Sequence, residues 1–336
     1  MMNDSSAKQP IILSLGPFQG ITDFIYRQVF QSQFEGIDKF YTPFFTAIHK
    51  ADSKNLQGAE IDPKFNTITR LVPQILTNDH TELFHFSKYC AGLGYQEINI
   101  NLGCPYPRVA KKKRGSGLLP HADSVDEMLD RHFASNPLPT GVKCRLGYES
   151  ATEIDALAKV FNRYPLSELI IHARTGKQLY KGQVLLDDFA AIVTDLQINP
   201  GYNGDIFNTA EYTDRTKRFP DVKHFMLGRG VLSDPFLAAD IREIPVNSDR
   251  KQQLHQFVKT LYEQRKAFSN NKPSAIGRMK ELWSYLKYSF DEPQAVWRKI
   301  KKNNSFSEYE AAVDQIFENH QWIGQGFPLD REVSDY

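Results

Sequence analysis

The spacing of hydrophobic and polar positions changes along this chain. Through about residue 245, short β-branched and apolar runs alternate with longer stretches whose apolar positions recur every three or four residues. Residues 11–15, 39–42, 71–76, 97–100, 141–146, 168–172, 198–203 and 224–227 read as strands. Residues 23–33, 81–91, 124–133, 153–164, 185–196 and 209–219 read as the helices between them. This alternation calls for parallel βαβ units, and eight of them fit in roughly 240 residues, the usual extent of a (β/α)8 TIM barrel. An open doubly wound sheet is the alternative. It is disfavoured because polar and glycine-rich signatures follow most strands instead of clustering at one switch point. The seventh strand is the weakest, because Pro200 and Gly201 interrupt it.

Beyond Pro245 the strand signals stop. Residues 250–268, 274–290, 292–301 and 307–319 carry helical periodicity, and Pro273 is well placed to start one of these helices. The α/β class thus becomes a TIM barrel followed by a small C-terminal helical domain. The expected divisions are a flexible N-terminus at 1–10, the barrel at 11–245, the helical domain at 246–325 and a tail at 326–336.

Composition narrows the class. With 41% hydrophobic and 24% charged residues, the chain of 336 residues is ordinary for a globular protein. No apolar run approaches bilayer length, and the first ten residues lack a secretion-signal pattern. Cys90, Cys104 and Cys144 have neither the spacing of a zinc site nor that of a disulfide framework. A cytoplasmic enzyme without metal or membrane attachment is expected. The net charge of +1 still allows a local basic surface. Lys111, Lys112, Lys113 and Arg114 form such a cluster, for which a solvated loop is the plainer reading.

In a barrel the chemistry lies at the C-terminal strand ends. The first strand leads into Gly16-Pro17-Phe18-Gln19-Gly20. The third carries Gln74, and the fourth carries Asn99 and Asn101 ahead of Gly103-Cys104-Pro105. Lys143 and Arg145 lie on the fifth, and the sixth ends in His172-Ala173-Arg174-Thr175. Asn203-Gly204-Asp205 and Gly228-Arg229-Gly230 end the last two, where such barrels hold a phosphate. Lys143 interrupts an apolar strand, so it needs an internal salt bridge or an electron-rich ligand to offset desolvation. Cys104 sits on a loop, whereas Cys90 and Cys144 fall within elements. An unperturbed thiol with a pKa of about 8.5 is mostly protonated in a neutral cell and suits an acid. A thiolate-promoting neighbour would make it a nucleophile, and both roles stay open.

Seven segments in order resemble the tRNA-dihydrouridine synthase family: Gly16-Pro17-Phe18-Gln19-Gly20-Ile21-Thr22-Asp23, Pro73-Gln74, Asn101-Leu102-Gly103-Cys104-Pro105, Val142-Lys143-Cys144-Arg145-Leu146-Gly147, His172-Ala173-Arg174-Thr175, Asn203-Gly204-Asp205 and Gly228-Arg229-Gly230. Where the family usually has Ala-Pro-Met, this chain has Gly16-Pro17-Phe18.

The resemblance implies an FMN at the barrel mouth. Pro17 and Phe18 would lie beside its ring, and Gln74, Lys143 and His172 would contact the isoalloxazine. Asn203, Gly204, Asp205, Gly228 and Arg229 would surround the phosphate. It also implies ping-pong chemistry, in which NADPH or NADH reduces FMN. Hydride then passes from flavin N5 to uracil C6, and Cys104 protonates C5. Asn101, Arg174, Lys111, Lys112, Lys113, Arg114, Arg278 and Lys280 would bind tRNA, the last two from the helical domain, with the protein a monomer. Two alternatives are an FMN barrel reductase of a small pyrimidine or enone, and a non-catalytic tRNA-binding barrel. The helical tail and basic loop count against the first, and the intact Cys104, Lys143 and His172 against the second.

Overall fold

The computed structural model describes residues 10–50, 53–56, 58–135, 138–246, 248–324 and 327. The expected N-terminal segment and C-terminal tail lie outside these residues, except for Pro10 and Phe327. The strands are β1 (Ile12–Leu15), β2 (Lys39–Tyr41), β3 (Leu71–Val72), β4 (Gln74–Ile75), β5 (Ile98–Leu102), β6 (Thr140–Gly147), β7 (Leu169–Thr175), β8 (Gly201–Asn203) and β9 (His224–Leu227). Every pairing between them is parallel, in the order β3-β2-β1-β9-β8-β7-β6-β5-β4. β3 and β4 are halves of one run split by Pro73, which has no N–H for the ladder. β3 pairs with β2 and β4 with β5, so this run closes the ring. The result is the eight-unit barrel that the periodicity calls for.

Local chemistry sets the boundaries. Pro200 confines β8 to the three residues beyond it, where the sequence pattern had suggested six. β7 runs on through Arg174 and Thr175, with a shift in its register against β6 between His172 and Thr175, and β5 runs on through Asn101 and Leu102. The barrel helices are α1 (Phe24–Gln33), α2 (His80–Gly92), α3 (Pro107–Ala110), α4 (Ala122–Phe133), α5 (Glu153–Phe161), α6 (Leu186–Val193), α7 (Thr209–Arg218), α8 (Arg229–Ser233) and α9 (Leu237–Ile241). Side-chain caps start several of them: Asp23 accepts from Tyr26 N at 2.9 Å, and Asn208 from Glu211 N at 2.8 Å.

Four more helices follow: α10 (Arg250–Phe268), α11 (Ser274–Leu286), α12 (Pro293–Lys301) and α13 (Phe306–Asn319). A capping box of Ser305 and Glu308 opens α13. These helices share the barrel's apolar core. Phe257 of α10 packs edge-on against Tyr26, Phe30 and Phe34 of the α1 region, with centroids 5.8, 6.4 and 5.1 Å apart. Burying such a ring contributes about 1.5–3 kcal/mol. Arg265 donates to Ile21 O at 2.6 Å and Asp23 Oδ1 at 3.2 Å. It thereby ties α10 to the loop that carries Pro17 and Phe18. No helix among the described residues is long and apolar enough to cross a membrane.

Candidate active site

A cavity of about 500 Å³ opens at the C-terminal mouth of the barrel. Alternation along β6 sends Lys143 and Arg145 to the same interior face. His172 of β7 faces them, and Cys104 sits on the loop after β5. Pro17, Phe18, Asn101, Cys104, Lys143, His172, Asn203, Gly204, Asp205, Gly228 and Arg229 all line this space.

The loop holding Cys104 is fixed on several sides. Its backbone N–H donates to Asn101 Oδ1 at 2.9 Å. Its carbonyl accepts from the backbone N–H and the hydroxyl of Ser116, each at 3.0 Å. A β-carbon on Gly115 would fall 2.6 Å from that carbonyl, so glycine permits the close turn there. Arg145 Nε donates to Gly103 O at 3.0 Å, and its Nη1 to Thr175 O and Leu179 O at 2.8 and 2.6 Å.

The electrostatics sort the polar groups by protonation state. Burial pushes the Cys104 thiol up, and the lowering effects of a hydrogen bond from the Tyr106 backbone and of Arg145 and Lys143 are smaller. The thiol is therefore protonated at neutral pH, which favours acid over nucleophile. Burial, followed by the charges of Arg145, Lys143, Arg174 and Arg229, holds His172 well below its ordinary value, so its imidazole is neutral. Burial also brings Lys143 down to about 8, with Arg145 adding to the effect. Among the described residues no acidic side chain pairs with Lys143. The internal salt bridge weighed for it from the sequence is absent there.

At the other side of the mouth Asp205 joins two arginines. Arg174 Nη1 donates to Asp205 Oδ1 at 2.9 Å and its Nη2 to Oδ2, while Arg229 Nη2 also reaches Oδ1. Burial alone would raise the Asp205 carboxyl, but the hydrogen bonds and charges of Arg174 and Arg229 outweigh it and hold the group low. Gly204 has a φ of +144°, which side-chain-bearing residues rarely adopt, and a β-carbon there would press on Val184 and the Tyr202 hydroxyl at 3.0 and 3.1 Å. A β-carbon on Gly230 would meet Ile206 O at 2.1 Å.

The family model described as dihydrouridine synthase matches residues 14–330, nearly the whole chain. The chain belongs to the dihydrouridine synthase family. A tRNA-dihydrouridine(16) synthase of Neisseria meningitidis is 24% identical over 305 residues, covering 88% of this chain and 91% of that protein. A tRNA-dihydrouridine synthase B of Proteus vulgaris is 29% identical, covering 73% of this chain and 77% of its own. A probable tRNA-dihydrouridine synthase of Staphylococcus aureus is 30% identical, with 66% and 69% covered.

Most other residues singled out from the sequence of this dihydrouridine synthase family member lie off the cavity wall. Gln74 is fully buried behind Asn101, with both ends of its amide engaged by Asn101 and Asn99. Arg174 is 1% exposed and clasps Asp205, Gly182 O and Lys181 O beneath the surface. Lys111, Lys112 and Lys113 are exposed beside the mouth. Arg114 turns back to Asn78 and Glu82 at 3.0 and 3.2 Å. Lys280 reaches the cavity rim, whereas Arg278 pairs with Glu281 at 3.4 Å.

Several cavity residues escaped sequence reasoning, Arg145 and Tyr180 foremost. Arg145 was noted at a strand end but assigned no role, although its spacing of two from Lys143 marks it as facing the interior. Tyr180 lies on the loop after β7, where Leu179 has a positive φ of 53°. Its ring has Arg145 at 5.4 Å, Arg229 at 5.2 Å and His172 at 6.2 Å. No local pattern announces it. Tyr285 and Trp297 extend the cavity wall from the helical segment. No cluster of three or more His, Cys, Asp or Glu poised to hold a metal occurs among the described residues.

Proposed function

We propose that this chain reduces a uridine of tRNA to 5,6-dihydrouridine, with FMN in the barrel mouth and NADPH or NADH as the reductant. The observation that carries the reading is the enclosed, protonated thiol of Cys104 beside the neutral His172 and Lys143, a cation with no acidic partner among the described residues. The residues present suit a flavin. An anionic or electron-rich ring would offset the desolvation of Lys143, and neutral His172 can both donate and accept a hydrogen bond. Arg229 and the bare backbone at Gly204 and Gly228 suit a phosphate. Asp205, itself an anion, would orient Arg229 instead of touching the phosphate. Pro17 and Phe18 would flank the ring.

When bound, FMN supplies hydride to C6 of the uracil. The protein's own contribution is the proton at C5, for which the Cys104 Sγ–H is the donor. Arg145 and Asn101 hold the loop that carries this thiol. Exposed Lys111, Lys112 and Lys113, with Lys280 at the opposite rim, would neutralise phosphates of the RNA. A target base must leave its stack to enter so enclosed a site. A cytoplasmic location and action as a monomer complete the reading.

The test is direct. Purified protein should be yellow, or become so with added FMN. With NADPH and unmodified tRNA it should produce dihydrouridine detectable by mass spectrometry, while free uracil should react far more slowly. A protein that fails to bind FMN, or that reduces free uracil as fast as tRNA, overturns the proposal.

A further inference from the structure

A file of buried polar side chains runs through the barrel interior, from the mouth to the opposite end. At the mouth, Asn101 Oδ1 accepts from the backbone N–H groups of Gly103 and Cys104, each at 2.9 Å. Asn101 Nδ2 donates to Gln74 Oε1 at 2.7 Å, and Gln74 Nε2 donates to Asn99 Oδ1 at 2.8 Å. Asn99 Nδ2 then donates to Glu168 Oε1 at 3.0 Å. At the base, Lys39 Nζ lies 3.0 Å from Glu168 Oε2, and the Tyr41 hydroxyl lies 2.9 and 2.8 Å from the two carboxylate oxygens. Gln74 and Asn99 are fully buried, and Asn101 and Glu168 are less than a tenth exposed.

A primary amide has one donor end and one acceptor end, so three in series can run in either of two directions. The two ends of the file choose between them. Backbone N–H groups only donate, and the Glu168 carboxylate, paired with the Lys39 ammonium and taking the Tyr41 hydroxyl, only accepts. Both demand the same arrangement, with each amide oxygen towards the mouth and each amide nitrogen towards the base. The direction thus follows from the end groups, whichever way each amide is first drawn. Because the amides touch one another directly, a single reversed amide would set donor against donor or acceptor against acceptor.

We infer that Glu168, at the far end of the barrel, is a positioning residue for Cys104, acting through a directional relay of Asn99, Gln74 and Asn101. The relay itself is independent of the proposed activity. Only its consequence for proton delivery rests on the reading of Cys104 as the acid.

The relay has a distinctive test, because it can be reversed as a whole. Asn101→Asp keeps acceptors towards the loop but turns a second oxygen to Gln74. Gln74 and Asn99 must then flip, which sets Asn99 Oδ1 against the Glu168 carboxylate. Glu168→Gln alone offers either an N–H2 group to Asn99 Nδ2 or one to Lys39. In the double variant both conflicts disappear: the new amide donates to Asn99 and keeps its oxygen on Lys39 and Tyr41. Melting of the full-length protein should therefore show each single variant lowered and the double variant recovered to near the native temperature. A double variant as unstable as the summed singles, or one that does not fold, overturns the relay.

Positioning is read separately from iodoacetamide labelling, quantified by peptide mass spectrometry. In Glu168→Gln, kept well below its melting temperature, labelling of Cys104 should rise by roughly threefold or more as its loop loosens. Labelling of Cys90, buried in α2, should not change and so controls for general opening. If this variant does not fold, Asn99→Ser, which cuts the file while leaving the carboxylate, is labelled in its place. An unchanged Cys104 rate in the folded variant overturns the positioning role. Neither measurement involves tRNA, so failure here is distinct from failure of the proposed activity.

Discussion

Replacing Cys104 with alanine removes the thiol without removing what holds its loop. The contacts to Asn101 and Ser116 are made by the backbone N–H and carbonyl of residue 104, so both survive the substitution. The variant should fold, and its flavin content should match the native protein. What it loses is a proton donor, and general-acid assistance typically contributes about 10²–10⁴ in rate. That range corresponds to about 2.7–5.5 kcal/mol of barrier. The assay is rapid-mixing oxidation of the reduced flavoprotein by tRNA, followed by flavin absorbance in a single turnover. The pH profile sharpens it. Even an ordinary thiol, with a pKa near 8.5, is about 90% protonated at pH 7.5, and burial raises this one further. An acid role therefore gives a rate that is flat across neutral pH and falls only in alkali. A nucleophile would give a rate that climbs through the same range. Equal native and Cys104→Ala rates, or a rate that climbs with pH, would refute the reasoning.

Three further variants probe the surrounding charges. Lys143→Met should stabilise the cofactor-free protein while weakening FMN binding. The drop from 10.5 to about 8 amounts to on the order of 3 kcal/mol of unfavourable charge burial, less whatever water in the cavity screens. Because the folded value is depressed, the penalty is complete below about 8 and vanishes above about 10.5. The gain in melting temperature should shrink over that window, and a variant melting below the native protein at pH 7 contradicts the premise. Asp205→Ala leaves the buried guanidinium of Arg174 uncompensated, and denaturant titration should show a loss of about 3–5 kcal/mol. The native carboxyl is held low, so this gap should be constant at neutral pH and close only as acid protonates it. Changing Lys111, Lys112 and Lys113 together to glutamine should reduce the salt slope of tRNA binding by up to about 2–3 while leaving FMN affinity intact. An unchanged slope removes these lysines from the RNA contact.

The barrel was legible because its signal is periodic and repeated. A strand of three residues such as β8 still fits when its neighbours fix the register. Cys104 and Lys143 were legible for a different reason: each breaks a local rule, a thiol on a loop and a lysine in an otherwise apolar run, and rule-breaking marks a site. Gln74, Arg174 and Tyr180 were not legible in the same way. Gln74 and Arg174 have the residue types of ligand contacts, and their position at strand ends is right. Whether such a side chain meets the cavity or another side chain depends on what faces it across the barrel. For Gln74 the partners lie at 99 and 101, and for Arg174 at 205, separations over which sequence pattern carries no geometric information. Tyr180 is brought within 5.4 and 5.2 Å of two guanidinium groups by loop backbone with a left-handed residue that is not glycine. The same reasoning explains why the relay to Glu168 is invisible in the sequence. Its direction is fixed by the Lys39-paired carboxylate at one end and the backbone at the other, and each amide between them looks like an ordinary interior polar residue until all are seen in line.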